Sequence, residues 1–255
     1  MLRIFMKKYT LYLGFILFLF SFWSCSNKII FERKAYTSYY PSKLASDYNS
    51  ANIQMEVVEA KNADSINKII FENIKEISSF IDNNNFTIRN YNDLTTSFIT
   101  SYKDVKKQVP NDKLKSWEYH LETNVEYETE DFVNIVINYY SSYGESNGIA
   151  DKRSLVFDKI SGKQLHVESI FSSVSKVSQL VELKFRAKYG VNPTLSYNSQ
   201  GFCFPINRFK LANTLLFSIE GITFYYNLNE IAPFEKGHYE VFMSYDELDN
   251  YLLIK

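Results

Sequence analysis

Histidine and carboxylate side chains are the groups in this sequence that could hold a metal ion or transfer protons. His120, His166 and His238 lie on three separate segments of the chain. His166 and Glu168 could present two ligands on one strand face, but a zinc site needs three or four converging groups, and the sequence places no third group near them. The sequence therefore predicts no metal site.

A run of acidic residues has the composition needed for general acid and base catalysis. It consists of Glu126, Glu128, Glu130 and Asp131, and glycosidases use two carboxylates across the scissile bond. Apolar and polar residues alternate from 117 to 128, however, which is typical of a strand with one face in water. We therefore interpret the run as a solvated strand face.

Motifs of the common enzyme classes do not occur in the sequence. It has no Gly-x-Ser-x-Gly elbow, no phosphate loop and no dinucleotide fingerprint. We expect no catalytic residue and no cofactor.

A cluster of tyrosines is the candidate binding surface. Tyr139, Tyr140 and Tyr143 precede a loop that runs from Gly144 to Gly148. Tyrosine presents a large apolar face and a hydroxyl group at low entropic cost, so such a cluster suits contact with a sugar or a protein. The alternative is that these tyrosines pack on the sheet at the end of a strand.

The N-terminus has the pattern of an export signal. Arg3, Lys7 and Lys8 precede an uncharged stretch from residue 9 to residue 23, which is shorter than the roughly 20 residues that span a hydrocarbon core. Ser24 and Cys25 follow, and this order resembles a bacterial lipoprotein box. We expect a signal peptide at 1–24 and lipidation of Cys25, with an uncleaved membrane anchor as the alternative. Either outcome places the protein in the cell envelope, outside the cytoplasm, on a periplasmic or outer-membrane surface.

The composition excludes several classes of protein. The chain has 255 residues, 45% of them hydrophobic, which is enough for a sizeable core. It has 28 Lys and Arg against 29 Asp and Glu, so no basic surplus favours nucleic acid as a partner.

Cys203 lies between two phenylalanines, and we expect it to be buried and unreactive.

The remaining sequence predicts an α+β fold. Residues 25–50 lack apolar periodicity and are interpreted as a lipid-anchored tether. Residues 51–112 form a helical N-terminal part that opens with an edge strand at 53–57, and residues 113–255 form an α+β domain. Amphipathic helices are predicted at 64–82, 93–109 and about 173–189, with Gly190 as a left-handed cap. Hairpins near 130, 161 and 220 predict an antiparallel sheet in the C-terminal half, packed against these helices.

The C-terminal part carries a recognisable motif. Residues 222–237 contain an aromatic strand followed by Glu230, Ile231, Ala232 and Pro233, then Gly237, and residues 240–248 contain Ser244, Tyr245 and Leu248. This pattern resembles the C-terminal signature of the RsiV-like domain family, long described as a domain of unknown function. Glu230, Pro233, Gly237 and Tyr245 are its structural positions, and they identify a fold rather than a reaction.

The resemblance also implies a cellular setting. Members of the RsiV-like family occur in cell-envelope proteins, including an anti-sigma factor that senses lysozyme. The resemblance therefore implies a binding or sensing module whose partner is peptidoglycan, another glycan or a lysozyme-like protein, together with the membrane at the acylated N-terminus. An enzyme acting on cell-wall glycan and a purely structural lipoprotein remain the alternatives.

Overall fold

Two β-sheets form the framework of the molecule. The computed structural model describes residues 28–40, 49–78, 87–110, 113–144 and 148–254; the predictions for residues 1–24 and Cys25 lie outside them. The first sheet has six strands in the order β1 to β6, which are β1 (Phe31–Tyr40), β2 (Ala51–Ala60), β3 (Trp117–Glu128), β4 (Phe132–Ser142), β5 (Ile149–Asp158) and β6 (Gln164–Leu165). The second sheet consists of β7 (Thr214–Phe217), β8 (Gly221–Tyr226) and β9 (Tyr239–Ser244).

Helices connect and cover these sheets. They are α1 (Asp64–Ile77), α2 (Tyr91–Gln108), the short α3 (Val167–Ile170), α4 (Val174–Tyr189) and the short α5 (Tyr245–Leu248). α2 begins two residues before the predicted start, because the Asn90 side chain caps it by accepting a hydrogen bond from the Asp93 N–H. Gly190 adopts φ 63° at the end of α4, as predicted. The α+β fold class is confirmed.

The N-terminal segment differs from its prediction. We expected residues 25–50 to form a tether, but Phe31–Tyr40 is a ten-residue strand paired antiparallel with β2 over its whole length. The apolar residues of this segment did not indicate a strand, because an edge strand with one solvated face needs few apolar residues. The expectation of a tether is therefore wrong for this segment.

The position of β2 in the sheet also differs from the prediction, which was an edge strand at 53–57. It is an interior strand, antiparallel to β1 and parallel to β3. Parallel neighbours need a long crossover connection, and α1 and α2 lie within that connection. Residues 51–112 are therefore only partly helical, and the sheet continues across the predicted boundary between residues 112 and 113.

A first hydrophobic core fills the space between α1, α2 and one face of the six-stranded sheet. Phe98 of α2 contacts the ring of Tyr119, and the Tyr119 hydroxyl lies 2.9 Å from Ser78 Oγ at the end of α1. Ile66, Ile70 and Ile74 of α1 are fully buried, as expected for one stripe of an amphipathic helix.

A second core lies between α4 and the three-stranded sheet. Phe185 of α4 is fully buried and contacts the rings of Phe202, Phe204 and Tyr226. The end of the chain closes this core. Residues 251–253 run beside residues 170–172 and exchange hydrogen bonds with them, from Ser172 N to Tyr251 O (2.8 Å) and from Leu253 N to Ile170 O (2.8 Å).

Polar side chains join the two sheets. Asn134 of β4 is fully buried; it donates to Ser154 Oγ (2.7 Å) and accepts from the Phe217 N–H of β7 (3.2 Å). Ser154 in turn donates to Leu215 O of β7 (2.5 Å). The second sheet is thus fixed over part of the face that the first core leaves free.

Candidate functional site

An open groove of about 520 Å³ lies on the part of the six-stranded sheet that the second sheet leaves uncovered. Its floor is built from side chains that neighbouring strands hold in register. One row contains Gln54, His120, Tyr140 and Ala150, and the next contains Glu56, Glu122, Asn138 and Lys152. Each row runs across β2, β3, β4 and β5, a width of about 14 Å at the usual strand spacing.

The groove exists because the second sheet covers one end of β4 on this face and leaves the other end uncovered. At one end, Phe132 and Asn134 contact Phe217 of the second sheet. At the other end, Asn138 and Tyr140 lie beyond the second sheet and remain accessible. The alternation of strand residues thus gives one face with a covered half and a wet half.

Tyr225 of β8 and His238, which directly precedes β9, form the wall of the groove. Their rings stack with a centroid distance of 5.2 Å and an angle of 29°. The Lys152 ammonium lies 5.4 Å from the Tyr225 ring centre, within the range of a cation–π contact. The wall therefore adds an aromatic surface to a polar floor.

His238 and Asp151 are held by the backbone. The His238 Nε2 lies 2.8 Å from Ala150 O and 3.3 Å from Asp151 Oδ1. A carbonyl oxygen only accepts, so Nε2 carries the proton of the first bond. Asp151 Oδ1 also accepts from the Leu228 N–H (2.9 Å). Both side chains thus stabilise the edge of β5.

Two tyrosines of the groove are neutral hydrogen-bond donors over the ordinary pH range. Burial, and next the nearby Asp151 carboxylate, raise the pKa of Tyr139 to about 12 and that of Tyr225 to about 12. Their hydroxyl groups keep their protons and can donate to a ligand.

The three predicted binding tyrosines do not form one surface. Tyr140 lies on the groove floor, while Tyr139 is partly buried, borders the groove and packs against the first core. Tyr143 packs edge-on against Trp117 at 5.2 Å. The structure thus brings Tyr140 and Tyr139 to the groove and places Tyr143 among aromatic side chains of the core.

Gly148, the last residue of the predicted loop, lies directly against Tyr140. A Cβ atom at Gly148 would collide with the far end of the Tyr140 ring. Glycine at this position therefore sets where the Tyr140 ring lies on the floor.

The other candidate residues are dispersed. His166 and Glu168 border a separate cavity of about 520 Å³ beside β6 and α3. Glu128 of the acidic run forms an ion pair with Lys159 (2.7 Å) at the far end of the sheet from Tyr140. In the part of the chain that the structure describes, no three His, Cys, Asp or Glu side chains are placed to hold a metal ion.

The motif residues have structural roles. Glu230 accepts a hydrogen bond from the Asn227 N–H (2.9 Å), and burial raises its pKa. Pro233 precedes a single 3₁₀ turn that Gly237 ends at φ 75°. The Tyr245 hydroxyl donates to Ser218 O (2.8 Å), which ties the last helix to the β7–β8 turn.

The expected burial of Cys203 is wrong. Phe202 and Phe204 are buried, but Cys203 between them is exposed. The segment is extended, so successive side chains point to opposite sides. The two phenylalanines take the inner side and leave the thiol outside.

The C-terminal part of the chain matches a known family model. Residues 168–246 match the model described as "Protein of unknown function (DUF3298)". This DUF3298 segment contains α4 and the second sheet, and with it Tyr225 and His238 of the groove wall. No curated protein matches the chain by sequence.

Two solved DUF3298 proteins share the fold. The crystal structure of a DUF3298 family protein from Pseudomonas aeruginosa PAO1 superposes with a TM-score of 0.60 at 13% identity, covering 89% of this chain and 95% of that one. A member of the family from Bacteroides fragilis NCTC 9343 gives a TM-score of 0.59 at 16% identity, covering 89% and 94%. At these identities the likeness is one of fold alone.

Several groove residues were missed by sequence reasoning. His120 and His238 were named as candidates on separate segments, and the structure places both in one groove. Glu122 lies on the predicted wet face of β3, so a search along that face would have found it. Lys152 and Tyr225 come together only because the two sheets pack, and no local pattern reports that contact.

Proposed function

We propose that this protein is a non-catalytic, lipid-anchored protein of the cell envelope that binds an envelope glycan in the groove. The observation that supports this is the arrangement of two polar rows beneath the aromatic pair Tyr225 and His238. A sugar ring needs an apolar face to stack on and hydrogen-bonding groups around its edge, and this groove offers both.

The extent of the groove fits a polymer better than a small molecule. Its two rows extend about 14 Å across four strands, a width that several linked sugar units fill. Glu56 and Glu122 lie towards the β2 side, and Lys152 lies on β5. This separation of charge gives a bound strand a preferred orientation.

The residues with catalytic chemistry favour binding over hydrolysis. His238 and Asp151 are engaged with Ala150 O and the Leu228 N–H, and Glu56 pairs with Arg33 at 3.1 Å. Groups committed to structural bonds are poorly placed to exchange protons with a substrate. The alternative, an enzyme acting on cell-wall glycan, is an outcome of the test below, as is a purely structural lipoprotein.

The envelope location rests on the sequence. The signal peptide at 1–24, the acylation of Cys25 and the membership of the RsiV-like family are parts of this proposal, and the DUF3298 match supports the last. Among the described residues, no helix is long and apolar enough to cross a membrane. Mass spectrometry of the mature N-terminus tests the anchor, because an unmodified Cys25 contradicts it.

Binding is tested by co-sedimentation of the mature chain with insoluble peptidoglycan, and by retention on immobilised lysozyme. We expect binding to peptidoglycan, weakened about tenfold by Tyr140→Ala, a loss of about 1.4 kcal/mol. Gly148→Ala should weaken it as well, because the added methyl group displaces the Tyr140 ring. Phe242→Ala, at a partly exposed aromatic position on β9 outside the groove, is the matched control.

The outcomes separate the hypotheses. Soluble glycan fragments that accumulate with time would indicate an enzyme, and retention on lysozyme alone would indicate a protein ligand. No retention on either material, or binding unchanged by Tyr140→Ala, contradicts the proposed groove.

A further inference from the structure

The lipid anchor and the folded core are separated by very little chain. Ile29 is buried in the first core, with 5% of its surface exposed. Lys28 O already accepts a hydrogen bond from the Asn62 side chain (3.2 Å). Four peptide units, from Cys25 to Ile29, span at most about 14 Å. If Cys25 is acylated as proposed above, the end of the molecule at which β1 begins is held close to the bilayer.

The same end of the molecule carries exposed isoleucines. We call it the isoleucine end and define it by Ile30, Ile160 and Ile219, whose exposed fractions are 53%, 73% and 85%. Ile30 precedes β1, Ile160 lies in the β5–β6 turn, and Ile219 lies in the β7–β8 turn. Large apolar side chains at the tips of turns gain no packing within the folded chain, and their exposure to water is unfavourable.

Contacts within the fold place Ile30 near Ile160. The Lys61 N–H donates to Ile30 O (2.8 Å), which fixes Ile30 beside the connection that leads into α1. A Cβ atom at Gly162, in the same turn as Ile160, would meet Ser65 Oγ at 2.6 Å in the first turn of α1. The β5–β6 turn therefore lies against the start of α1.

Further contacts place Ile160 near Ile219. The Lys159 N–H donates to Asp131 O (2.8 Å), and Lys159 Nζ donates to Thr129 O (2.7 Å), both in the β3–β4 turn. Thr129 and Ile219 border one cavity of about 300 Å³. The three isoleucines thus lie along one end of the molecule.

We propose that the isoleucine end rests directly on the bilayer surface, with Ile160 and Ile219 inserted among the lipid headgroups. The proposal rests on the proposed acylation of Cys25. The short connection keeps this end at a high local concentration near the lipid, so weak apolar contacts are sufficient to hold it there. Charges of both signs lie at this end, since Lys61 pairs with Glu32 at 3.1 Å, so docking depends on apolar contact and on the short connection to Cys25 rather than on net charge.

This orientation places the groove away from the membrane. Phe31 begins β1 at the isoleucine end, and Thr37, which pairs with Gln54 of the groove floor, lies six residues further along the strand. Glu56 of the nearer row pairs with Ala35, four residues from Phe31. At the usual rise per residue, the two rows of the groove floor are about 13 and about 20 Å from the docked end. A glycan could then enter the groove without displacing lipid.

Site-directed labelling of the full acylated chain tests the docking. The exposed Cys203 is first replaced by Cys203→Ser, and an environment-sensitive fluorophore is attached after Ile160→Cys or Ile219→Cys. The matched control is Ile206→Cys, because Ile206 is 83% exposed and follows Phe204 by two residues, and the Phe204 ring contacts Tyr226 at the opposite end of β8 from Ile219. Vesicles of phosphatidylethanolamine with a minority of phosphatidylglycerol contain a lipid-borne quencher.

We expect labels at 160 and 219 to be quenched several-fold more than the label at 206. A flexible Gly/Ser insertion between Asn27 and Lys28 should reduce the quenching while leaving the protein on the vesicles. Acylated protein that sediments with vesicles but shows equal quenching at all three positions overturns the docking alone. Protein that carries no acyl group overturns the anchor and, with it, the docking.

Discussion

Asn227 pairs with β5 as a residue of a neighbouring strand would. Its side-chain amide accepts from the Lys152 N–H (2.9 Å) and donates to Lys152 O (2.8 Å). Glu230 holds Asn227 in place by accepting from its backbone N–H (2.9 Å). The glutamate of the Glu-Ile-Ala-Pro motif is thus a positioning residue for a side chain that covers an open sheet edge.

Glu230→Ala should lower the free energy of unfolding at pH 7 by about 1–3 kcal/mol, because the Asn227 N–H loses its acceptor. Burial raises the pKa of Glu230 above 4.5, so ionisation of this carboxyl disfavours the folded state. Its contribution is most favourable below pH 4.5 and declines as the pH rises through the pKa in the folded protein. Glu230→Gln keeps an acceptor and should remove this decline.

Urea unfolding of the three proteins between pH 4 and pH 8 measures both effects. Glu235→Gln, at an exposed position nearby, is the control. A Glu230→Ala protein as stable as the parent, or a Glu230→Gln protein with the parental pH profile, would contradict the assigned role.

The two sheets are joined through buried polar groups at the element scale. Asn134 and Ser154 form a chain of hydrogen bonds from β4 through β5 to β7. Such bonds have defined partners and directions, so they fix how one sheet lies on the other, whereas apolar contact alone tolerates sliding.

Asn134→Ala should destabilise the protein by about 1–3 kcal/mol, because the buried Phe217 N–H is left without its acceptor. Asn138→Ala, four residues along the same face of β4, is the control, because Asn138 borders the open groove and its bond to Glu122 is long at 3.4 Å. Thermal unfolding followed by circular dichroism compares the two variants. Equal shifts in Tm would exclude a special role for Asn134.

Elements with strong local patterns could be predicted from the sequence. The helical stripes gave α1, α2 and α4, and turn residues between apolar runs gave the β3–β4 and β7–β8 hairpins. β1 could not be predicted, because its stability comes from ten residues of backbone pairing with β2 rather than from its own composition. The parallel β2–β3 pair was missed for a related reason, since alternation does not report strand direction.

The groove could be predicted only in part. Tyr140 was selected for its residue type and loop position, and it lies on the floor. Tyr143 has the same features in the sequence but packs on Trp117, because β4 alternates and position 143 falls on the core side. The side of the sheet on which a side chain lies at the end of a strand depends on the register of that strand with its neighbours. The sequence of a single strand does not specify this register.

The six-stranded sheet joins the N-terminal and C-terminal parts of the molecule, which the sequence predicted as separate units. β3 lies on the C-terminal side of the predicted boundary at 112, but it pairs with β2, and Tyr119 is covered by Phe98 and Ser78. The C-terminal part therefore shares its first core with the N-terminal part.

A fragment of residues 113–255 should fail to form a stable monomer. It would expose Leu121, Ile135 and Ile137, which the first core buries, and leave an uncovered edge at β3. Size-exclusion chromatography and near-UV circular dichroism compare it with the mature chain. A monomeric fragment that unfolds cooperatively would support residues 113–255 as an independent domain.

The hydrogen bonds of residues 251–253 with residues 170–172 have a consequence for biosynthesis. Because residues 251–253 are translated after every strand of both sheets, the second core cannot close until these residues have left the ribosome or an export channel. The first core has all of its strands by residue 165, so it is free to form earlier. Maturation is thus ordered in time by the position of three residues that follow the second sheet.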